Sequence, residues 1–424
     1  MKILITNGRV MDPRSNTDGR LDVLIEGTKI RGLYPEGGGP EADRVIDASG
    51  CIVIPGLVDM HTHLREPGFE YKETIKSGTM AAVKGGFTTV CCMPNTNPVN
   101  DTMAVTRFII EKALKEGCCA VYPIGAITKG LKGEELAELE MLARTGCIAF
   151  SDDGRPVTDS LIMRRALEYS KIFNMPVISH CEDLKLSEGG VMNEGFVSTI
   201  VGLKGIPNAA EDIMVARDLL LADLTGGRLH IAHVSTEGAV ELIRNAKHRG
   251  VKVTAETCPH YFTLTDESLV SYDTNFKVNP PVRGVKDVEA VRRGLKDGTI
   301  DAIATDHAPH HVDDKNVEFD RAAFGISGLE TAFSLGLRLV AEGILDLMQL
   351  IRKMTVIPSE IMKINSGVLS EGADADIAVI NMHKKYRVDS SAFLSKGRNT
   401  PFDRWTLEGV VEKTISRGKV YEWD

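Results

Sequence analysis

The chain has 424 residues, 43% of them hydrophobic and 26% charged, with 50 basic against 59 acidic side chains and a formal net charge of −9. That balance lacks the basic footprint of a nucleic-acid or anionic-membrane binder, and no run of about 18 apolar residues offers a membrane span. The length exceeds a usual domain of roughly 50–250 residues but suits a barrel of about 250 residues with a small second domain.

The opening stretch, MKILITNGRVMDPRS, has too few consecutive apolar residues for a secretory signal, so a cytoplasmic protein with a small-molecule partner is expected. Residues 1–50 carry short alternating strands between Gly and Asp, as in KILITNGRVMD and DVLIEGTKIRGLYP. Residues 366–424 repeat that style in DADIAVINM and VVEKTISRGKVYEWD. The two ends are therefore expected to pair as one small β-sandwich domain. The eight cysteines, at 51, 91, 92, 118, 119, 147, 181 and 258, form neither zinc-ribbon pairs nor a disulfide framework and read as reduced thiols.

Between these ends, residues 51–365 alternate short runs rich in Val, Ile and Thr with longer stretches of helical periodicity. Eight runs are recognised: 56–63, 87–94, 120–128, 147–153, 176–183, 228–235, 251–260 and 300–309. Segments such as 102–117 and 159–174 carry apolar residues three and four apart and end at Gly or Asn, as helices do. Eight such units predict an α/β fold, a (β/α)8 TIM barrel with a parallel sheet.

The first run ends in GLVDMHTHLREPG. Strand residues two apart share a face, so His61 and His63 project together, at the end of a barrel strand where active sites form. Other runs end alike: Asp153 closes the fourth, His180 the fifth, His233 the sixth and Asp306 the eighth. A barrel would make these imidazoles and carboxylates converge. Such donors suit Zn2+, which lowers the pKa of a bound water to about 7.

The motifs VDMHTHLREPG, MPNTNP (93–98), FSDDG (150–154), SHCED (179–183), IAHVS (231–235), NPPVR (279–283) and ATDHAPH (304–310) resemble those of the amidohydrolase superfamily, within it the bacterial type I dihydroorotases. The resemblance implies metal binding by His61, His63, Asp153, His180, His233 and Asp306, with Asp306 as catalytic acid and base. It implies substrate contacts from His63, Arg65, Asn95, Asn279, His310, Phe324 and Gly325. One departure stands out: superfamily members often bridge two metals with a carbamylated lysine, whereas the fourth run offers Asp152 and Asp153 and no lysine. One or two zinc ions per chain are expected, with Asp153 as the bridging ligand and Asp152 pointing away.

The reaction implied is reversible cyclisation of N-carbamoyl-L-aspartate to L-dihydroorotate and water, in pyrimidine synthesis. Arg65 would hold the carboxylate that does not react. The resemblance leaves open a homodimer and a complex with aspartate carbamoyltransferase. Other readings are a hydantoinase- or allantoinase-like hydrolase, whose substrates lack that carboxylate, and a non-catalytic scaffold, which the intact ligand set disfavours. His307 reads as packed, His311 as solvated and His230 as outside the mouth. Cys181 reads as a small buried side chain, and His260 carries a minor expectation of a role.

Overall fold

The computed structural model describes residues 1–423, an α/β fold built on a curled parallel sheet. The strands of that sheet are β1 (Leu57–Thr62), β2 (Phe87–Cys92), β3 (Ala120–Pro123), β4 (Phe150–Ser151), β5 (Val177–Ser179), β6 (Leu229–Ile231), β7 (Val253–Thr257) and β8 (Ala302–Ile303). β1, β2 and β3 pair in parallel, as do β4 to β8 in sequence. Single parallel bridges, Gly125 to Phe150 and Thr62 to His307, link β3 to β4 and bring the end of β8 back to β1. Every residue of β1 and β2 is buried, which is why their sequences read as continuous runs without alternation.

The helices that separate the strands start where the chain supplies caps. Thr74 and Ser77 form a capping box at Ile75–Lys84, Asp159 accepts from the amides of Leu161 and Ile162 at Ser160–Ser170, and Thr236 accepts from Ala239 at Glu237–His248. Their apolar faces, among them Ile109, Leu167, Val240 and Ile243, pack on the outside of the sheet in one large core.

The chain ends build a second sheet. Six N-terminal strands between Lys2 and Pro55 and three C-terminal ones, Ile377–Arg387, Thr406–Ser416 and Lys419–Glu422, form a single nine-stranded sheet. The two sets join where Ile377–Arg387 runs antiparallel to Cys51–Pro55. Its aliphatic core is separate from that of the curled sheet. All eight cysteines are free, and among the described residues no helix is long and apolar enough to cross a membrane.

Candidate active site

All the strand-end residues singled out in the sequence meet at one end of the curled sheet. Asp153 lies at the centre. Its Oδ2 is 3.4 Å from Nε2 of His61 and 3.3 Å from Nε2 of His63, while its Oδ1 is 3.3 Å from Nδ1 of His180 and 3.2 Å from Nε2 of His233. Asp306 sits on the first side only, 3.0 Å from His63 and 3.4 Å from His61. The donors thus fall into two groups that share one carboxylate. Three of the residues involved hold a backbone conformation that side chains resist, with φ of 64° at Arg65, 35° at His233 and 47° at Asp306. Strain of this kind is retained where the surrounding structure enforces a functional geometry.

The imidazoles are oriented from behind. Nδ1 of His61 is 2.5 Å from Oε1 of Glu256, Nδ1 of His63 is 2.8 Å from Oδ1 of Asn95, and Nε2 of His180 is 3.1 Å from Oε2 of Glu182. An N–H donated to each of these acceptors leaves the other ring nitrogen as a lone pair facing the centre, the arrangement of metal-ligating histidines. Two further facts fit a cation there. Nε2 of His61 is fully buried without a hydrogen-bond partner, and ring nitrogens of His180 and His233 approach to 2.8 Å, which needs a proton or a cation between them.

The electrostatics agree. Burial disfavours charge on Asp306, but His61 and His63 outweigh it and hold the carboxyl well below the usual range. Asp153 is likewise buried and pulled far down by His61, His180 and His233. Burial opposes a charged His180 too, yet its hydrogen bonds to Asp153 and Glu182 raise it to about 10, so the ring facing Asp153 carries a proton that a cation bound at the centre would displace to expose the lone pair. Buried Glu256 is brought down to about 2 by His61 and His230. The site is a set of ionised carboxylates that demands positive charge.

A cavity of about 220 Å³ opens over this cluster. His63, Arg65, Asn95 and Asn279 line it, as do His310, Phe324 and Gly325, so every side chain expected to contact substrate faces the same space as the donor cluster. Burial lowers Arg65 to about 10, still charged at neutral pH. Its Nε donates to the Pro309 carbonyl at 3.2 Å, and its Nη2 stands 3.3 Å from Nε2 of His310. That imidazole is neutral, pushed to about 2 by burial and by Arg65, Lys72 and Lys315. Its Nδ1 accepts from Lys72 at 3.2 Å and its Nε2–H donates to the Phe324 carbonyl at 2.8 Å. In that tautomer Arg65 keeps both Nη groups without a protein acceptor, and it pairs with no carboxylate among the described residues. Glu66, its neighbour, is engaged by the Ile75 amide and Lys112.

Glu256, Glu182 and Glu73 are the functional candidates that sequence reasoning passed over. A lone carboxylate inside the strand run VKVTAETC was the available signal for Glu256, and the tail of SHCED for Glu182. Glu73 holds His307, 3.4 Å away, so that histidine is packed behind the wall. Asp152 accepts from the amides of Ile127 and Thr128 at 2.8 and 2.9 Å and shapes a loop away from the cavity. His230 is buried beside Glu256, 3.4 Å away, below the cavity. The Cys181 thiol turns to Ser179 and Asp218. His260 is buried with Nε2 unpartnered and off the cavity wall, and His311 is partly exposed beside Asp313.

Known proteins resemble this chain over its whole length. A family model described as dihydro-orotase-like matches residues 50–239. The chain is 57% identical over 426 residues to a dihydroorotase of Syntrophus aciditrophicus (strain SB), covering 100% of both chains. It is also 57% identical to a dihydroorotase of Geobacter metallireducens, with 99% of each chain covered. Among solved structures, L-hydantoinase (dihydropyrimidinase) from Arthrobacter aurescens superposes with a TM-score of 0.89 at 25% identity, over 99% of this chain and 95% of that one. Dihydropyrimidinase from Brevibacillus agri gives 0.86 at 23% identity, with the same coverage.

Proposed function

The chain belongs to the dihydroorotase family and interconverts N-carbamoyl-L-aspartate with L-dihydroorotate and water, and on that premise we propose how its residues divide the work. The observation that carries the assignment is that a two-sided donor cluster and a half-buried arginine with free Nη groups face one and the same cavity. The donor set fits zinc. His61, His63 and Asp306 would hold one ion and His180 and His233 a second, with Asp153 between the two groups available to both. When bound, zinc supplies Lewis acidity toward a carbonyl oxygen and acidifies a water.

The protein's own groups do the rest. Arg65 binds the unreactive carboxylate with paired N–H bonds, and His310, neutral and fixed by Lys72 and the Phe324 carbonyl, sets the wall beside it. Asn95 and Asn279 line the same space while orienting His63 and Glu182. Asp306 is ionised, so it can accept the proton of the ureido nitrogen as that nitrogen closes on the carboxyl carbon, and pass it to the departing oxygen, which leaves as water with a second proton taken up from solvent, so that cyclisation consumes one proton overall and ring opening releases one. In ring opening it returns the proton to the departing amide nitrogen.

The same proposal reads the curled sheet as a (β/α)8 barrel spanning about 51–365 and the terminal sheet, 1–50 with 366–424, as one β-sandwich domain, the strand Cys51–Pro55 pairing with the latter. Cytoplasmic location rests on the N-terminal sequence, and a homodimer and docking to aspartate carbamoyltransferase on the family resemblance; size measurement alone and with that enzyme tests the last two. Metal analysis of purified protein alongside assays in both directions tests the core. Two zinc ions per chain and reversible turnover, lost with a chelator and restored by zinc, are expected. Preferred turnover of a ring lacking the carboxylate would contradict the reading.

A further inference from the structure

Behind the cavity wall lies a segment of the C-terminal region whose polar contacts the mechanism has not used. Asn399 is 4% exposed, and all of its side-chain hydrogen-bonding capacity is engaged. Its Oδ1 accepts from the His310 amide at 2.9 Å and from Oγ of Ser327 at 3.0 Å. Its Nδ2 donates to the Ala308 carbonyl at 3.1 Å and the Gly325 carbonyl at 2.9 Å. Ala308, His310 and Gly325 all line the cavity. Two residues earlier, a Cβ on Gly397 would lie 2.4 Å from Cβ and 2.7 Å from Cα of Pro309, so the segment presses on Pro309 where no side chain fits. The Pro309 carbonyl is the acceptor that fixes Nε of Arg65. The segment is anchored in turn: Glu330 accepts from the amides of Leu394 and Ser395 at 2.8 and 3.2 Å.

We infer that Asn399 and Gly397 are positioning residues: they brace Ala308–Pro309–His310 from behind and thereby set where Arg65 and His310 meet the unreactive carboxylate. The inference rests on the reading of Arg65 given above and extends it to a segment contributed by the far end of the chain. Neither residue touches the donor cluster. Their effect should therefore fall on substrate affinity and spare metal content and the chemical step.

The test measures kcat, KM for dihydroorotate, zinc content and melting temperature for Asn399→Ala and Gly397→Ala, alone and combined with Arg65→Met. Each single variant is expected to raise KM about tenfold, the equivalent of about 1.4 kcal/mol, with zinc content unchanged and kcat within about threefold of the parent. In the Arg65→Met background, Gly397→Ala should add little, because the group it positions is gone. Unchanged KM, or kcat and zinc content falling together with KM, would overturn the inference. So would failure of both single variants to fold, since that assigns the segment to the fold. The parent is assayed first: if it does not turn over dihydroorotate, the functional reading fails and this inference with it, whereas an active parent with variants of normal KM sinks the inference alone.

Discussion

Ile3, Ile5, Val23, Ile25, Val53, Ile377 and Val379 fill the terminal sheet with aliphatic side chains at most 1% exposed, whereas His61, His63, Asp153, His180, His233 and Asp306, at most 5% exposed, fill the mouth of the curled sheet with groups that cost free energy to bury. The first set gains stability by leaving water. The second is held by acceptors behind it, by mutual attraction and, in our account, by bound cations. Left-handed backbone at His233 and Asp306 adds to the cost. The aliphatic core of the terminal sheet and the mouth are thus separate, so a change inside that core should leave the mouth largely unmoved.

The largest effect is expected in the mouth. Asp306→Asn keeps the size of the side chain and removes the proton carrier, so turnover should fall in both directions together by roughly 10²–10⁴-fold. Zinc content measured on the same sample separates proton transfer from metal loss, and a fully loaded variant with near-normal rates would break the assignment. In the terminal sheet, Ile377→Val should cost about 0.5–1.5 kcal/mol of unfolding free energy with kcat and KM unchanged. Denaturant unfolding beside steady-state kinetics checks this, and an altered KM would mean that the regions are not separate.

A smaller effect sharpens the contrast through pH. The ammonium of Lys315, at the rim of the mouth, donates to the carbonyls of Lys277 and Ala323, and burial, reinforced by Lys277, pushes it down to about 7. The unfolded chain keeps an ordinary lysine near 10.4 and so binds the extra proton between these values. Folding stability attributable to Lys315 should therefore rise from about pH 7 to pH 10 and be lowest below 7. Melting temperatures of parent and Lys315→Met across that range test it: the parent should gain on the variant as pH increases, and parallel curves would show that the lysine titrates normally.

Much of this architecture was legible in the chain because strands buried on both faces and helices with caps leave periodic traces. All eight runs contain a strand of the curled sheet, yet the strands are shorter than the runs: 176–183 yields Val177–Ser179 and 300–309 yields Ala302–Ile303. The tails of the runs are the loops that hold Asp153, His180, His233 and Asp306, and apolar content alone cannot mark where pairing stops and a left-handed turn begins. The cluster itself was readable because imidazole and carboxylate at successive strand ends is an improbable pattern. The groups that orient it were not. Glu256 reads as one acidic residue in a Thr-rich strand until His61 is seen 2.5 Å away, and Asn399 sits 89 positions from His310 in sequence, where no local pattern records the contact.

The central claim, that the mouth combines a metal cluster with an arginine that reads the unreactive carboxylate, is tested most directly by kcat/KM for dihydroorotate and for dihydrouracil with the parent and Arg65→Met enzymes. A desolvated charge-assisted pair is worth about 1.5–3 kcal/mol, so the variant should lose roughly 10- to 150-fold on dihydroorotate and little on dihydrouracil, which is expected to be a poor substrate of the parent as well. Equal proportional losses on the two rings would contradict the account, because Arg65 would then be supporting the fold or the metal cluster and not recognising the substrate.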